Sequence, residues 1–330
     1  MFDPTVLLIL VVVLALAFDF SNGWHDSANA IATVVSTHVL SPGRAVFMAA
    51  VLNIAGAFMS TAVAKMIGGG IVEASMIQET TVIAALSGAI AWNLFTLILG
   101  LPTSSSHALI GGIIGGALAQ SGMAAVKLSG LQKVLEAMLL SPLVGFVLGY
   151  LLILVTYRVM FRVPRGTANR GFRRLQLISS GFMAFSHGAN DAQKAMGIIT
   201  LALVSTGAIS TVEVPIWVIL SCAVAMGLGT LAGGWRIIRT LGMRIVKLEP
   251  VHGFAAETSA ALILLGTAHF GMPVSTTHTI TTSIMGVGCA KRLSAVRWGV
   301  TMRIVYAWLF TLPGAGLVAY GVTLAFQALR

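Results

Sequence analysis

Two copies of one polar stretch sit inside long apolar runs, and any fold must accommodate both. Phe185-Ser186-His187-Gly188-Ala189-Asn190-Asp191-Ala192-Gln193-Lys194-Ala195 interrupts the apolar run from Leu175 to Leu203. Phe20-Ser21-Asn22-Gly23-Trp24-His25-Asp26-Ser27-Ala28-Asn29-Ala30 lies 165 residues upstream, with Phe, Ser, Gly, Asp and the closing Ala in register. Ionisable side chains are costly at membrane depth and there mark a substrate or ion path. The chain therefore reads as two halves built around these stretches.

Composition supports a membrane setting. Hydrophobic residues make up 57% of the sequence, charged residues 9%, and the mean hydropathy is +0.94, against about 25% charged residues in soluble domains. The net charge of +10 does not point to nucleic acid, because the Lys and Arg fall between apolar runs, as cytoplasmic loops require. Cys222 and Cys289, both in apolar surroundings, offer neither a disulfide framework nor a thiolate metal site. Met1-Phe2-Asp3-Pro4-Thr5 lacks the positive start of a cleaved signal, so the first run is read as a retained span.

In chain order, Thr5 to Thr37 is longer than one crossing and is expected to break at Ser21-Asn22-Gly23. Spans follow over Ala45–Ile67, with Asn53 inside, and Thr80–Gly100; an acidic loop lies between them. Pro102-Thr103-Ser104-Ser105-Ser106-His107 opens a glycine-rich apolar segment to Ala119, and Val134–Met160 spans again after a polar connection. The first half is thus 1–160, followed by a short basic linker at 161–174 and a second half at 175–330. Leu175–Thr206 repeats the first segment, with its break at Ser186-His187-Gly188. Val214–Gly234 spans, Trp235–Leu248 is a basic amphipathic stretch for the interface, and Gly253–Phe270 spans with Glu257 inside. Pro273-Val274-Ser275-Thr276-Thr277-His278 matches the first Pro-to-His segment 171 residues on, and Trp298–Phe326 closes the chain.

The expected fold is all-α, with about ten transmembrane segments in two halves and broken helices at the midplane. Five crossings per half force opposite insertion, the inverted-repeat plan of many secondary transporters. With both termini outside, Arg44, Arg162 to Arg174, Arg236 to Lys247 and Lys291-Arg292-Arg297 all fall on the cytoplasmic side; Lys65, Lys127, Lys133 and Arg330 do not.

A helix starting at Ser104 or Ser275 offers free N–H groups, a positive dipole end and hydroxyl donors, which suits an oxyanion. Two such starts can clasp one tetrahedral anion. Asp26, Asp191 and Glu257 would repel that anion, so a cation must accompany it: a sodium ion, a proton on a carboxylate, or Lys194. Recurrence of the Ser/Thr segments in both halves favours ligand contact over small-residue packing, which is the reading for Gly111-Gly112 and Gly115-Gly116. His107 and His278 fit either a helix-bridging role or one at the site. Asn53 and Asn93 remain open, and Asp19, Glu73, Glu79 and Glu213 read as boundary or loop charges.

Gly188-Ala189-Asn190-Asp191 with Gly23-Trp24-His25-Asp26-Ser27-Ala28-Asn29, together with the two Pro-to-His segments, resembles the inorganic phosphate transporter (PiT) family, bacterial low-affinity type, over essentially the whole chain. The resemblance implies cation-coupled movement of orthophosphate, with sulfate carried by some relatives. It implies that Ser104, Ser105, Ser106, Ser275, Thr276 and Thr277 bind phosphate, and that Asp26, Asp191 and Glu257 are essential. Asn190 and Lys194 join the substrate group, Asn22 and Asn29 the coupling group. Sodium-coupled relatives tend to have Asn where Lys194 stands and Glu where Asn53 stands; both departures lean towards protons, while Asp26 with Asn29 leaves room for one sodium.

The expected function is proton-coupled import of inorganic phosphate across a bacterial cytoplasmic membrane, by a lipid-embedded chain with no cofactor beyond the coupling ion. A sodium-coupled phosphate symporter and a sulfate permease are alternatives of the same fold. An anion channel would dispense with buried carboxylates, and no nucleophile, base and orienter combine as a hydrolase needs. Glycine-rich faces permit a homodimer.

Overall fold

The computed structural model describes residues 3–73 and 76–329. Asp3 caps the first helix by accepting from Thr5 N at 2.8 Å, and Pro4 takes the first turn, where a missing N–H costs nothing. The helices are α1 (Pro4–Ser36), α2 (Pro42–Ala57), α3 (Ala62–Gly69), α4 (Glu79–Leu99), α5 (Ser105–Ser121), α6 (Leu128–Val159), α7 (Arg165–Ser205), α8 (Ile216–Ala232), α9 (Trp235–Arg239), α10 (Pro250–His269), α11 (Thr276–Lys291) and α12 (Trp298–Ala328). Among the described residues the only β feature is an isolated bridge between Val72 and Val126.

Packing partners exchange between the first six helices and the last six. α1 lies on α8 while α2 lies on α7, and α5 lies on α12 while α11 lies on α6. Glycines permit the closest of these contacts. A Cβ on Gly23 would meet Met226 O at 2.2 Å and one on Gly229 would meet Phe20 O at 2.1 Å, which closes α1 on α8. The other crossing is the same: Gly188 against Asn53 O and Gly56 against Phe185 O, both at 2.1 Å. Close backbone approach of this kind supplies the association energy that the hydrophobic effect does not supply between helices in lipid.

The same glycines explain a correction. α1 and α7 run unbroken through the stretches where breaks were expected. Ser21 and Ser186 donate to carbonyls of their own helix, Phe18 O and Phe182 O, the helices continue through these stretches, and the glycine serves a crossing instead of a break. Breaks occur one element later, with bends of 73° between α2 and α3 and 62° between α8 and the α9 segment. α9 and the π-helical turn after it bury Ile237, Ile238 and Leu241, so this stretch does more than lie at an interface. The basic linker also shrinks, because α7 begins at Arg165.

Six helices are long and apolar enough to cross a membrane, or eight if each bent pair is one span. α7 is too polar for that test and α11 is too short at 16 residues; they are the counterparts of α1 and α5, and counting them gives the ten segments expected. The outer surface is apolar, with Leu139, Leu309 and Leu317 at 75, 66 and 72% exposure, whereas Asp26, Asp191, Lys194 and Glu257 are at most 1% exposed. This inside-out polarity is that of a multi-pass membrane protein. The glycine-rich faces of α5 are covered within the chain, Gly115 by Gly316 of α12 and Gly112 by Ala85 of α4, so they offer no face to a second copy.

Two cavities lie at opposite ends of α6 and α10. One of about 1290 Å³ is bordered by Lys65, Lys133, His269 and Pro273. The other, about 1350 Å³, is bordered by His38, Arg165, Arg173, Lys247 and Lys291.

Candidate functional site

α5 and α11 start in equivalent ways. Ser104 and Ser275 are their N-caps, each accepting at 3.1 Å from the backbone N–H of the histidine three residues on, His107 and His278. Those two hydroxyl oxygens accept the capping bonds and each keeps its O–H as a donor. The next hydroxyls face the aspartates. Ser105 Oγ donates to Asp26 Oδ2 at 2.8 Å, Thr276 Oγ1 to Asp191 Oδ2 at 3.2 Å, and Thr277 Oγ1 crosses to Asp26 Oδ1 at 3.3 Å. Ser106 Oγ donates to Val274 O at 2.9 Å and ties the two helix starts together.

α1 and α7 bring the rest. Asn29 Nδ2 donates to Thr276 Oγ1 and Thr277 Oγ1 at 3.2 and 2.9 Å. Lys194 Nζ lies 2.8 Å from Asp191 Oδ2 and donates to Ser105 Oγ at 3.1 Å. Each half thus reaches into the other's hydroxyl segment. His25 Nδ1 meets Asp26 Oδ1 at 2.7 Å, and its Nε2 is 3.1 Å from Thr96 Oγ1. His187 Nε2 stands 3.3 Å from Asp191 Oδ2, and its Nδ1 pairs with Asn53 Oδ1 at 3.1 Å, an amide held in turn by Thr230 at 2.8 Å. Asp26, His187 and Asp191 present ligand atoms within 4.8 Å of one another, but the Lys194 ammonium already supplies the positive charge beside Asp191.

Asn190 and Asn22 are fully buried, and neither amide atom of either has a partner among the described residues; the same holds for Asn29 Oδ1 and Asp191 Oδ1. Buried polar atoms left without partners carry a large cost. They are the groups here with capacity for an ion or substrate.

Glu257 is not part of this cluster. Thr33 Oγ1 donates to its Oε1 at 2.6 Å, Gln176 Nε2 to the same oxygen at 3.1 Å, and Ser179 Oγ to Oε2. Thr33 is two turns beyond Asp26 on α1, about 10 Å along the axis, so the protein has a second buried carboxylate centre. One partner comes from α1 and two from α7, from segments far from Glu257 in the sequence. Sequence reasoning also passed over His25, His187 and Thr96 as ligands of the cluster. Asp19 is a correction: it is no boundary charge, being 0% exposed in mid-α1. The available signal was its spacing, two turns before Asp26 in an apolar run. His107 and His278 stack on each other at 4.5 Å, and His278 on Trp308 at 3.8 Å, which makes them a packing pair behind the helix starts.

Comparison with known proteins covers most of the chain. A model of the phosphate transporter family matches residues 22–319. A Rhizobium meliloti protein described as "Probable low-affinity inorganic phosphate transporter" is 48% identical, covering 95% of this chain and 94% of its own. Proteins with the same description are 47% identical in Bacillus subtilis, over 96% of each chain, and 50% identical in Mycobacterium tuberculosis, over 94% of this chain and 76% of the relative. A solved structure, "The sodium-dependent phosphate transporter", superimposes with a TM-score of 0.89 at 25% identity and covers 98% of this chain and 100% of that one.

Proposed function

The chain belongs to the phosphate transporter family, and from that premise we propose that it is a symporter that imports inorganic phosphate together with protons. The relatives are transporters, so no enzymatic step is involved. The observation that carries the proton reading is Lys194, whose ammonium stands 2.8 Å from Asp191 and 3.1 Å from Ser105. A fixed cation there removes the need for a metal ion beside Asp191, and the remaining carboxylates can be neutralised by protons.

The hydroxyls of Ser105, Ser106, Thr276 and Thr277, the amide of Asn190 and the N–H groups opening α5 and α11 are donors suited to a tetrahedral oxyanion. With no anion bound, Ser105, Thr276 and Thr277 donate to Asp26 and Asp191; turning them to phosphate brings a further negative charge beside those carboxylates, so the loaded cluster gains a proton to offset it. Occupancy and protonation are thereby linked. The cavities at opposite ends of α6 and α10 give alternating access two sides, with rocking about the shared cluster. The cluster of Arg165, Arg173, Lys247 and Lys291 at one of them supports a reading in which that end faces the cytoplasm and both termini lie outside a bacterial cytoplasmic membrane.

Sodium coupling is the second reading, favoured by the likeness to a sodium-dependent transporter; Asp26 and Asn29 would then hold the ion. Labelled phosphate uptake into proteoliposomes decides, with proton and sodium gradients imposed separately and sulfate as competitor. The expected result is uptake driven by protons alone and indifferent to sulfate. A sodium requirement would transfer the coupling site to Asp26, and inhibition by sulfate would change the substrate.

A further inference from the structure

Asp19 is a buried acid to which the mechanism above gives no task. It is 0% exposed, and neither carboxylate oxygen has a hydrogen-bond partner among the described residues. An ionised carboxylate stripped of water and of donors is among the costliest arrangements a protein can hold. The charged or titratable side chains near enough to act on it electrostatically are Lys194 and Asp191 of α7 and Cys222 of α8. Lys194 is committed to Asp191 at 2.8 Å. Beside Asp19, one turn on, Asn22 offers one donor and one acceptor, both unpartnered. A donor with an acceptor complements a neutral carboxylic acid, which itself donates once and accepts once; an anion could use only the donor.

We infer that Asp19 is the residue that carries the coupling proton, with Lys194 as the cation shared between it and Asp191. This rests on the proton-coupled reading above and adds the atom that bears the proton. An O–H bond forms on Asp19 when the cluster opens to one side and breaks, returning the proton to water, when it opens to the other; nothing is oxidised or reduced. With the proton on, the Asp19 acid, the Lys194 ammonium and the Asp191 carboxylate sum to zero, and a phosphate anion can settle among the hydroxyls. With the proton off, the same anion meets two carboxylates against one ammonium, a repulsion that low dielectric magnifies. Phosphate is admitted only with its proton. The matched position in the second half, 165 residues on, is Ala184, so one half alone carries the device.

The test uses the full-length protein in proteoliposomes, as wild type, Asp19→Asn and Asp19→Glu. Two rates are compared: phosphate uptake driven by an imposed pH gradient, and phosphate-for-phosphate counterflow with no gradient. In Asp19→Asn the gradient-driven rate is expected to fall at least tenfold further than counterflow, while Asp19→Glu keeps coupling with a displaced pH midpoint. An unaltered ratio in Asp19→Asn overturns the inference. Indifference of the wild type to protons sinks the proton-coupled reading itself, and a sodium response lost in Asp19→Asn would make Asp19 a metal ligand instead. Should Asp19→Asn fail to fold, infrared difference spectra of Asp19→Glu against wild type serve: a displaced carboxylic acid C=O band supports the inference, and an identical band overturns it.

Discussion

Asp26 and Asp191 occupy matched positions on α1 and α7, yet they are held in different ways. Asp26 accepts from Ser105 and Thr277 and touches His25, all groups that are neutral or able to be so. Asp191 is bound to the Lys194 ammonium, has His187 Nε2 at 3.3 Å, takes one long bond from Thr276 and keeps one oxygen without a partner among the described residues. The difference traces to positions where the repeat diverges: Asn29 against Lys194, His25 against Asn190, Asn22 against His187. The matched residues Phe, Ser, Gly and Asp set the helix crossing, and the divergent ones set the charge. A symmetric frame thus supports two unlike electrostatic centres, and coupling can reside in the difference.

The comparison breaks most readily at Lys194. Lys194→Met leaves Asp191 buried without its cation, and losing one partner of a buried pair costs about 3–5 kcal/mol. Phosphate uptake is expected to fall below detection, with a lower melting temperature in detergent. Retained uptake would mean that the two aspartates are equivalent after all. Lys194→Asn makes position 194 match Asn29, and it should trade the fixed cation for a mobile one: uptake at a small fraction of wild type, stimulated by sodium. His25→Ala removes a donor from Asp26, at about 1–3 kcal/mol, and is expected to cost less melting temperature than Lys194→Met; an equal loss would erase the distinction between the centres.

Gly188→Ala tests the frame instead of the charge. Its Cβ would stand 2.1 Å from Asn53 O, forcing α7 from α2, and overpacking of this kind costs about 1–3 kcal/mol. Both uptake and stability should drop, with proton dependence unchanged in form. The smallest effect is expected at Lys291→Ala, whose 3.7 Å pair with Glu249 is about half exposed on both sides; unfolding should shift by less than about 0.5 kcal/mol.

Much of the site could be read from the chain. The duplicated Asp, the Pro-to-His segments and the apolar runs were visible because each is local and repeated. Ser105, Thr276, Thr277, Asn29 and Lys194 do converge on Asp26 and Asp191. Ser104 and Ser275 do not, because hydroxyls at a helix start are drawn to their own backbone N–H groups. Asp19 was misplaced as a boundary charge, and the Gln176, Ser179 and Thr33 ring around Glu257 escaped notice, since nothing in the immediate neighbours of those three distinguishes them from packing residues.

The sequence by itself determined the membrane setting, the two halves and the pairing of acids with hydroxyl segments, because hydropathy and repetition are properties of the chain read in order. Only the tertiary structure decided where the helices break, that Glu257 stands apart from the aspartates, and that the Lys194 ammonium comes within 2.8 Å of Asp191. Those outcomes depend on which helices cross at which glycine, and a crossing joins residues more than a hundred positions apart, whose distances no local pattern encodes.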